Sequence, residues 1–82
     1  MPPVEALLSE ITATLGVAAY AYMGEGPTAF ESADLGAAEI AIDIASASFE
    51  RIREKLPAET RLAMTDMLTN VRMTFVRKRG LH

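Results

Sequence analysis

"DLGAAEIAIDIASASFERIREKL", residues 34–56, decides the fold, because its apolar residues recur with heptad spacing. They step alternately by three and four positions along the chain: Leu35, Ala38, Ile42, Ala45, Phe49, Ile52 and Leu56. This spacing puts them on one side of an α-helix and is typical of a seam between packed helices. Asp34 or Ser32 is suited to cap the helix by accepting backbone N–H bonds. The stretch therefore predicts a helix over residues 34–56.

The first half of this helix is apolar on a second side as well. Ile40, Ile44 and Ala47 lie outside the seam, next to a polar line of the same helix: Glu39, Asp43, Ser46 and Glu50. A helix with apolar residues on more than one side packs on more than one side. This half of the helix therefore predicts a second packing partner.

Upstream, residues 11–24 carry no charge at all. Pro2 and Pro3 suit the opening of a helix over residues 3–23. An apolar stripe, at steps of three and four, is expected to face inward: Val4, Leu7, Leu8, Ile11, Leu15, Ala18 and Tyr22. Beyond Glu10 the opposite side is apolar too, through Val17, Ala19, Tyr20, Ala21 and Met23. The glycines and proline of "GEGPTAFESA" predict a loop over residues 24–33, the longest of the chain.

Downstream, Pro57 predicts a sharp corner, because it disfavours helical geometry at Leu56 and suits the first turn of a new helix. The main stripe of the helix over residues 57–79 is Met64, Leu68, Val71 and Phe75, flanked by Met67. Leu62, Met73 and Val76 lie on another side, and Gly80 is a natural stop. The sequence thus predicts an all-α fold of three helices, about 3–23, 34–56 and 57–79, in an up-down-up arrangement.

Length and composition fit a single helical domain over residues 1–82. The 82 residues include fourteen alanines and no cysteine, so disulfides are excluded and a cytoplasmic location is expected. The start "MPPVE" lacks the basic region of a secretory signal. The uncharged run of residues 11–24 is shorter than the roughly 20 residues of a membrane span.

The apolar residues exceed what one copy of three helices hides, since each helix needs only one inward stripe. We therefore expect a helical homo-oligomer, most simply a two-fold dimer. Its self-association interface is expected to include residues of the first two helices: Leu15, Val17, Tyr20, Tyr22, Ile40 and Ile44. The function expected on this basis is that of a structural or interaction module which presents a helical surface to a protein partner.

Charge is distributed unevenly along the chain. Residues 1–50 carry eight acids and no base, whereas residues 51–82 carry eight bases and three acids, so the halves have charges of −8 and +5. The two halves should attract each other. The acid-free end, "RMTFVRKRGLH", offers Arg72, Arg77, Lys78 and Arg79 as candidate anion contacts. Its simplest role is to complement the carbonyl end of the helix; the alternative is a weak, salt-sensitive contact with nucleic acid or anionic membrane.

The parts of a catalytic or cofactor site are missing from the sequence. There is no cysteine, the single histidine is His82 at the terminus, and "MGEGPT" does not match a phosphate-binding loop. Two carboxylate pairs have i, i+4 spacing, Glu39 with Asp43 and Glu50 with Glu54, but the Glu-x-x-His motifs of helical metal sites are absent. We expect a non-enzymatic protein without cofactor or metal.

Two features retain two interpretations each. Asp43 and Arg72 border apolar faces and are expected to form an interhelical ion pair or to be solvated separately, with a functional carboxylate as the alternative. Met23, Met64, Met67 and Met73 either fill the core or line an adaptable groove for a peptide; a small-molecule cavity lined by methionine and alanine is a further alternative.

Three segments resemble the small bacterial helical family known as domain of unknown function 1844: "TLG", "SADLGAAEIAIDIASASFERI" and "LPAETRLAMTDMLTNVRMTFV". The residues that carry the resemblance are Leu15, Gly16, Asp34, Leu35, Ala38, Ile42, Asp43, Leu68, Arg72, Phe75 and Val76. Family members commonly open their last helix with Ser/Thr-Pro-Glu-Glu, where this chain has Leu56-Pro57-Ala58-Glu59 and lacks that side-chain cap. The resemblance implies a cytosolic helical protein and brings no activity with it.

Overall fold

The structure, a computed structural model, describes residues 1–25 and 33–80. These residues form three α-helices: α1 (Val4–Tyr22), α2 (Leu35–Ile52) and α3 (Ala58–Gly80), with a 3₁₀ turn at Arg53–Lys55. No strand occurs in the described ranges, so the predicted all-α fold is confirmed there. Most of the loop predicted for residues 24–33, and Ser32 with it, lies outside the described residues.

The connection between α1 and α2 is fixed by two local motifs. Gly24 has φ +82°, and the Gly24 and Glu25 N–H groups donate to Ala21 and Tyr20 carbonyls at 3.1 and 2.8 Å, which is a Schellman ending. The Asp34 carboxylate accepts the Ala37 N–H at 2.9 Å, so Asp34 is the predicted N-cap. The Asp34 N–H donates to the Tyr22 carbonyl at 2.7 Å, which joins the two helix ends directly.

The predicted extent of the second helix, to residue 56, is wrong. Helix α2 ends at Ile52, and Arg53–Lys55 form the 3₁₀ turn. Leu56 is extended (φ −92°, ψ 147°), as expected for a residue that precedes proline. The more tightly wound 3₁₀ turn precedes this extended residue. At the start of α3 the Pro57 carbonyl accepts the Arg61 N–H at 2.9 Å.

Ion pairs between the helix ends confirm the up-down-up order. Lys55, after α2, lies 3.8 Å from Glu5 at the start of α1, so α1 and α2 are antiparallel. Lys78, near the end of α3, lies 2.8 Å from Glu25, which follows α1, so α1 and α3 run in the same direction. Both pairs join an acid of residues 1–50 to a base of residues 51–82, as the charge distribution predicts.

The core contains the predicted stripes of α2 and α3. On α2, Ala38, Ile42, Ala45, Phe49 and Ile52 are buried. On α3, Leu68 and Val71 are buried, and the remaining predicted residues pack partly against the core: Met64, Met67 and Phe75. Met23 is fully buried as well, so Met23, Met64 and Met67 pack in or against the core, whereas Met73 is exposed.

The inward face predicted for α1 is right only in part, because Leu15 and Tyr22 of the predicted stripe pack partly against the core. The residues buried along its length are small, namely Thr12, Gly16, Ala19 and Ala21, whereas Val4, Leu7 and Ile11 of the predicted stripe are exposed. Thr12 satisfies its hydroxyl by donating to the Leu8 carbonyl at 2.8 Å. Small residues let the α1 backbone approach alanine-rich α2 closely, so side-chain size, not hydrophobicity, selects the inward face.

By length and composition, α1 is apolar enough to pass a test for a membrane-spanning helix. Mostly buried core helices of globular proteins and signal sequences near an N-terminus share these properties, and 22% of α1 is buried. In this structure α1 provides a line of buried residues that packs against the other helices.

Candidate functional site

Helix α3 covers only one side of the α1–α2 hairpin. Successive helical residues are rotated by about 100°, so the residue after a core position faces one flank and the residue before it faces the other. Ala13, which follows Thr12, lines a surface depression with Met64 and Met67 of α3. Ser46, which follows Ala45, accepts a hydrogen bond from the Arg72 guanidinium of α3. Helix α3 therefore lies along the flank of the residues that follow core positions.

The opposite flank, which we call the open face, is formed by the residues that precede core positions. On α1 these are Leu7, Ile11, Leu15, Ala18 and Tyr22. On α2 they are Ala37, Ile40, Ile44 and Ser48. Because α1 and α2 are antiparallel, both sets face the same side of the hairpin, away from α3.

The open face is apolar and carries no charge over most of its length. Ile40 is 66% exposed and Ile44 is 50% exposed on α2, and Leu7 and Ile11 are exposed on α1. The charged residues of this part of α2 lie on the other flank, because Glu39 and Asp43 follow core residues. On this side of α2 the first charged residue is Arg51, near the end of the helix. Exposed patches of this kind mark contacts with another protein, a ligand or a membrane.

The structure divides the six residues predicted for self-association. Leu15, Tyr22, Ile40 and Ile44 lie on the open face, where Leu15 and Tyr22 also pack partly against the core. Val17, 61% exposed, and Tyr20, partly buried, lie on the other flank of α1. The six residues therefore do not form a single patch.

A second exposed surface, the α2–α3 groove, runs between these two helices. Its wider part has a volume of about 350 Å³ and is lined by Glu39, Ile42, Asp43, Arg72, Phe75 and Val76. A further depression of about 410 Å³ shares Arg72 and Val76 and adds Met73 and Arg77. Asp43 and Arg72 are the two residues predicted to form an interhelical ion pair or to be solvated separately. The structure brings them to the same groove, but Arg72 donates to Ser46.

The four basic residues proposed as anion contacts all have partners within the chain. Lys78 and Arg77 lie 2.8 and 3.7 Å from Glu25, and the Arg79 guanidinium lies 5.7 Å from the centre of the Phe75 ring. The hydrogen bond and charge of Lys78, with the charge of Arg77, hold the pKa of the Glu25 carboxyl below its usual value. Arg77, Lys78 and Arg79 also occupy the last turn of α3, where cations complement the helix dipole.

Within residues 1–25 and 33–80, no group of three or more histidine, cysteine, aspartate and glutamate side chains has a metal-binding arrangement. Glu50, a member of one predicted pair, instead binds Arg53 at 3.0 Å. His82 lies outside the described residues.

The family model of the domain of unknown function DUF1844 matches residues 5–77. The chain belongs to the DUF1844 family. No curated protein and no solved structure matches it. The DUF1844 match spans all three helices, and core residues such as Ile42 and Leu68 are among those that carry the resemblance.

Proposed function

We propose that this DUF1844 protein is a non-enzymatic interaction module of the cytoplasm, which self-associates through the open face and presents a second helical surface to a protein partner. One observation carries the proposal: the open face is apolar and uncharged although the chain is 23% charged overall. A two-fold interface brings each residue close to its own equivalents in the other copy. A charge-free face meets a copy of itself without like-charge repulsion.

The dimensions of the open face match a modest dimer interface. Residues 7–22 of α1 span about 22 Å at 1.5 Å per residue, and two helices side by side are about 20 Å wide. Two copies packed face to face therefore bury on the order of 1,000 Å² in total, at the lower end of specific interfaces. In this arrangement the two hairpins form a four-helix core, and each α3 lies on its outside.

The absence of cysteine from the chain permits a direct test. Ile44→Cys places one thiol on the open face, and Val17→Cys places one on the other flank of α1 as a matched control. After mild oxidation we expect an intermolecular disulfide from Ile44→Cys or from the neighbouring Ile40→Cys, and little from Val17→Cys. Sedimentation equilibrium of the unmodified chain should show a monomer–dimer equilibrium in the micromolar range.

Two results would contradict the proposal. One is a chain that remains monomeric at hundreds of micromolar. The other is equal disulfide formation from both flanks, which would indicate random collision.

The alternative function is weak binding of nucleic acid or anionic membrane by the basic end of α3. The ion pairs of Lys78 and Arg77 with Glu25 reduce the charge available for it. Mobility-shift and liposome-flotation assays at low salt test this alternative, with Arg77→Gln/Arg79→Gln as the variant that should lose any binding observed.

A further inference from the structure

The α2–α3 groove has an apolar floor of helical periodicity. Val76 is 57% exposed and Met73 66% exposed, with Thr69 and Leu62 on the same side of α3 at steps of three, four and seven residues. Ile42 and Phe75 close the floor between the two helices. This heptad-like spacing matches the side-chain spacing of another helix laid along the groove.

The groove extends far enough for several turns of such a helix. Toward the start of α3, beyond the hydrogen bond from Arg72 to Ser46, a further depression of about 150 Å³ lies between Glu50 of α2 and Thr65 of α3. From Glu39 to Glu50 the α2 wall is about 16 Å long at 1.5 Å per residue, or three helical turns. A helix that packs between two antiparallel helices completes a bundle, which is a common way of burying such a floor.

The two walls of the groove carry opposite charges. Glu39 and Asp43 are exposed on the α2 wall, and neither forms an ion pair within residues 1–25 and 33–80. The α3 wall carries Arg72, which also donates to Ser46, and Arg77, which lies 3.7 Å from Glu25. A helix seated between the walls meets acids along one edge and bases along the other. Charges on the flanking positions of paired helices decide which partners associate.

We infer that the α2–α3 groove binds an amphipathic helix of another protein, with an apolar seam, Lys or Arg along the edge facing α2 and Asp or Glu along the edge facing α3. This interaction is independent of dimer formation through the open face. The two surfaces lie on different flanks of α2, since Glu39 and Asp43 follow core residues and Ile40 and Ile44 do not belong to that flank.

Three synthetic helices of about 20 residues test the inference, since shorter peptides form marginal helices in water. All have the same leucine seam. The mixed peptide has lysine on one edge and glutamate on the other; the two control peptides have lysine on both edges or glutamate on both edges. Fluorescence anisotropy at low salt should show that the mixed peptide binds about tenfold more tightly than either control, because only it matches both walls.

Charge reversal in the protein should change this order of preference. In Glu39→Lys/Asp43→Lys both walls are basic, so the peptide with glutamate on both edges should become the tightest ligand. The residues exchanged are exposed, and circular dichroism should confirm unchanged helix content. An unchanged order of preference, equal binding of all three peptides, or no binding by any of them would overturn the inference.

Two further variants locate the bound peptide. Val76→Asp should abolish binding of the mixed peptide and leave the dimer intact, whereas Ile44→Glu should dissociate the dimer and leave peptide binding intact. The reverse pattern would place the peptide on the open face and overturn the groove assignment. If Ile44→Glu leaves a dimer while Val76→Asp dissociates it, the groove is occupied by a second copy, and the inference fails as well.

Discussion

Removal of two isoleucines from the open face should dissociate the dimer without weakening the fold. In Ile40→Ala/Ile44→Ala both side chains keep only the Cβ carbon. These residues are 66% and 50% exposed in the folded chain, so folding alone leaves more than half of their combined surface in water. Their contribution to folding is therefore small, and their contribution to association is the larger one.

The size of the effect follows from the exposed fractions. Full burial of an isoleucine side chain contributes about 1.5–3 kcal/mol, so burial of the exposed parts of Ile40 and Ile44 contributes roughly 2–3 kcal/mol per subunit. Because the interface is two-fold symmetric, both subunits contribute, about 4–6 kcal/mol per dimer in total. The alanine substitutions remove most of this association free energy. The dimer dissociation constant should rise by about a hundredfold or more, since 1.4 kcal/mol corresponds to a factor of ten.

The folding stability should change in the opposite direction. Alanine has a higher helix propensity than isoleucine, by a few tenths of a kcal/mol per residue. Urea unfolding of the monomer, measured well below the dimer dissociation constant, should therefore give an equal or slightly higher unfolding free energy. Sedimentation equilibrium over a concentration series measures the association in parallel.

Val17→Ala is the matched control for this variant. Val17 is 61% exposed, like the two isoleucines, but it lies on the other flank of α1. Its replacement should leave the dissociation constant unchanged. The reasoning is refuted if Ile40→Ala/Ile44→Ala dimerises as well as the unmodified chain, if Val17→Ala dissociates it equally, or if the monomer of the double variant loses more than about 2 kcal/mol of stability.

Further predictions concern the helix ends and the contact of α1 with α3. Lys78 lowers the folded-state pKa of the Glu25 carboxyl, so the Glu25–Lys78 interaction stabilises the fold above the ordinary glutamate pKa of about 4.3. This stabilisation is lost as the pH falls below that value. In Glu25→Gln the unfolding free energy should therefore depend less steeply on pH in that acidic range. Asp34→Ala should lower the unfolding free energy by about 1 kcal/mol in urea titrations, because the Ala37 N–H loses its cap, and Asp34→Asn should retain most of it. A Cβ at Gly16 would lie 2.6 Å from the Met67 sulfur. Gly16→Ala alone should therefore raise the unfolding free energy little, whereas in a Met67→Ala background it should raise it by about 1 kcal/mol through helix propensity. A double-mutant cycle in which the two effects simply add would contradict this prediction.

The second and third helices were predictable because the residues at their heptad positions include the bulky apolar ones that a core buries. On α2 the residues at heptad positions include the bulky Ile42 and Phe49, and both are buried. Pro57 marks the corner correctly, since its effect on Leu56 is steric and local. The 3₁₀ turn before it was missed because periodicity continues through Leu56 and carries no information about how tightly the last turn is wound.

The orientation of α1 was not predictable from hydrophobicity. From residue 11 onward every side of this helix is uncharged, so the usual contrast between a polar and an apolar face is absent. Two lines of residues compete for the inward position, one with bulky Ile11 and Leu15, the other with Thr12, Gly16 and Ala19. Alanines at 38, 41 and 45 on the facing helix favour the second line, because small residues on both helices allow close backbone contact. That choice depends on a pairing between helices, which spacing within one helix does not reveal.

The exposure of the bulky residues of α1 and α2 follows from the same choice. Once Thr12 and Gly16 face inward, Leu7 and Ile11 turn to the open face, where Ile40 and Ile44 already lie. Hydrophobic burial forgone at four such residues amounts to several kcal/mol, comparable with the whole stability of a small domain. Polar residues in place of Ile40 and Ile44, which are 66% and 50% exposed, would cost little in folding and would reduce aggregation. The open face is therefore best explained by a surface that covers it, and its lack of charge favours a second copy of the same hairpin.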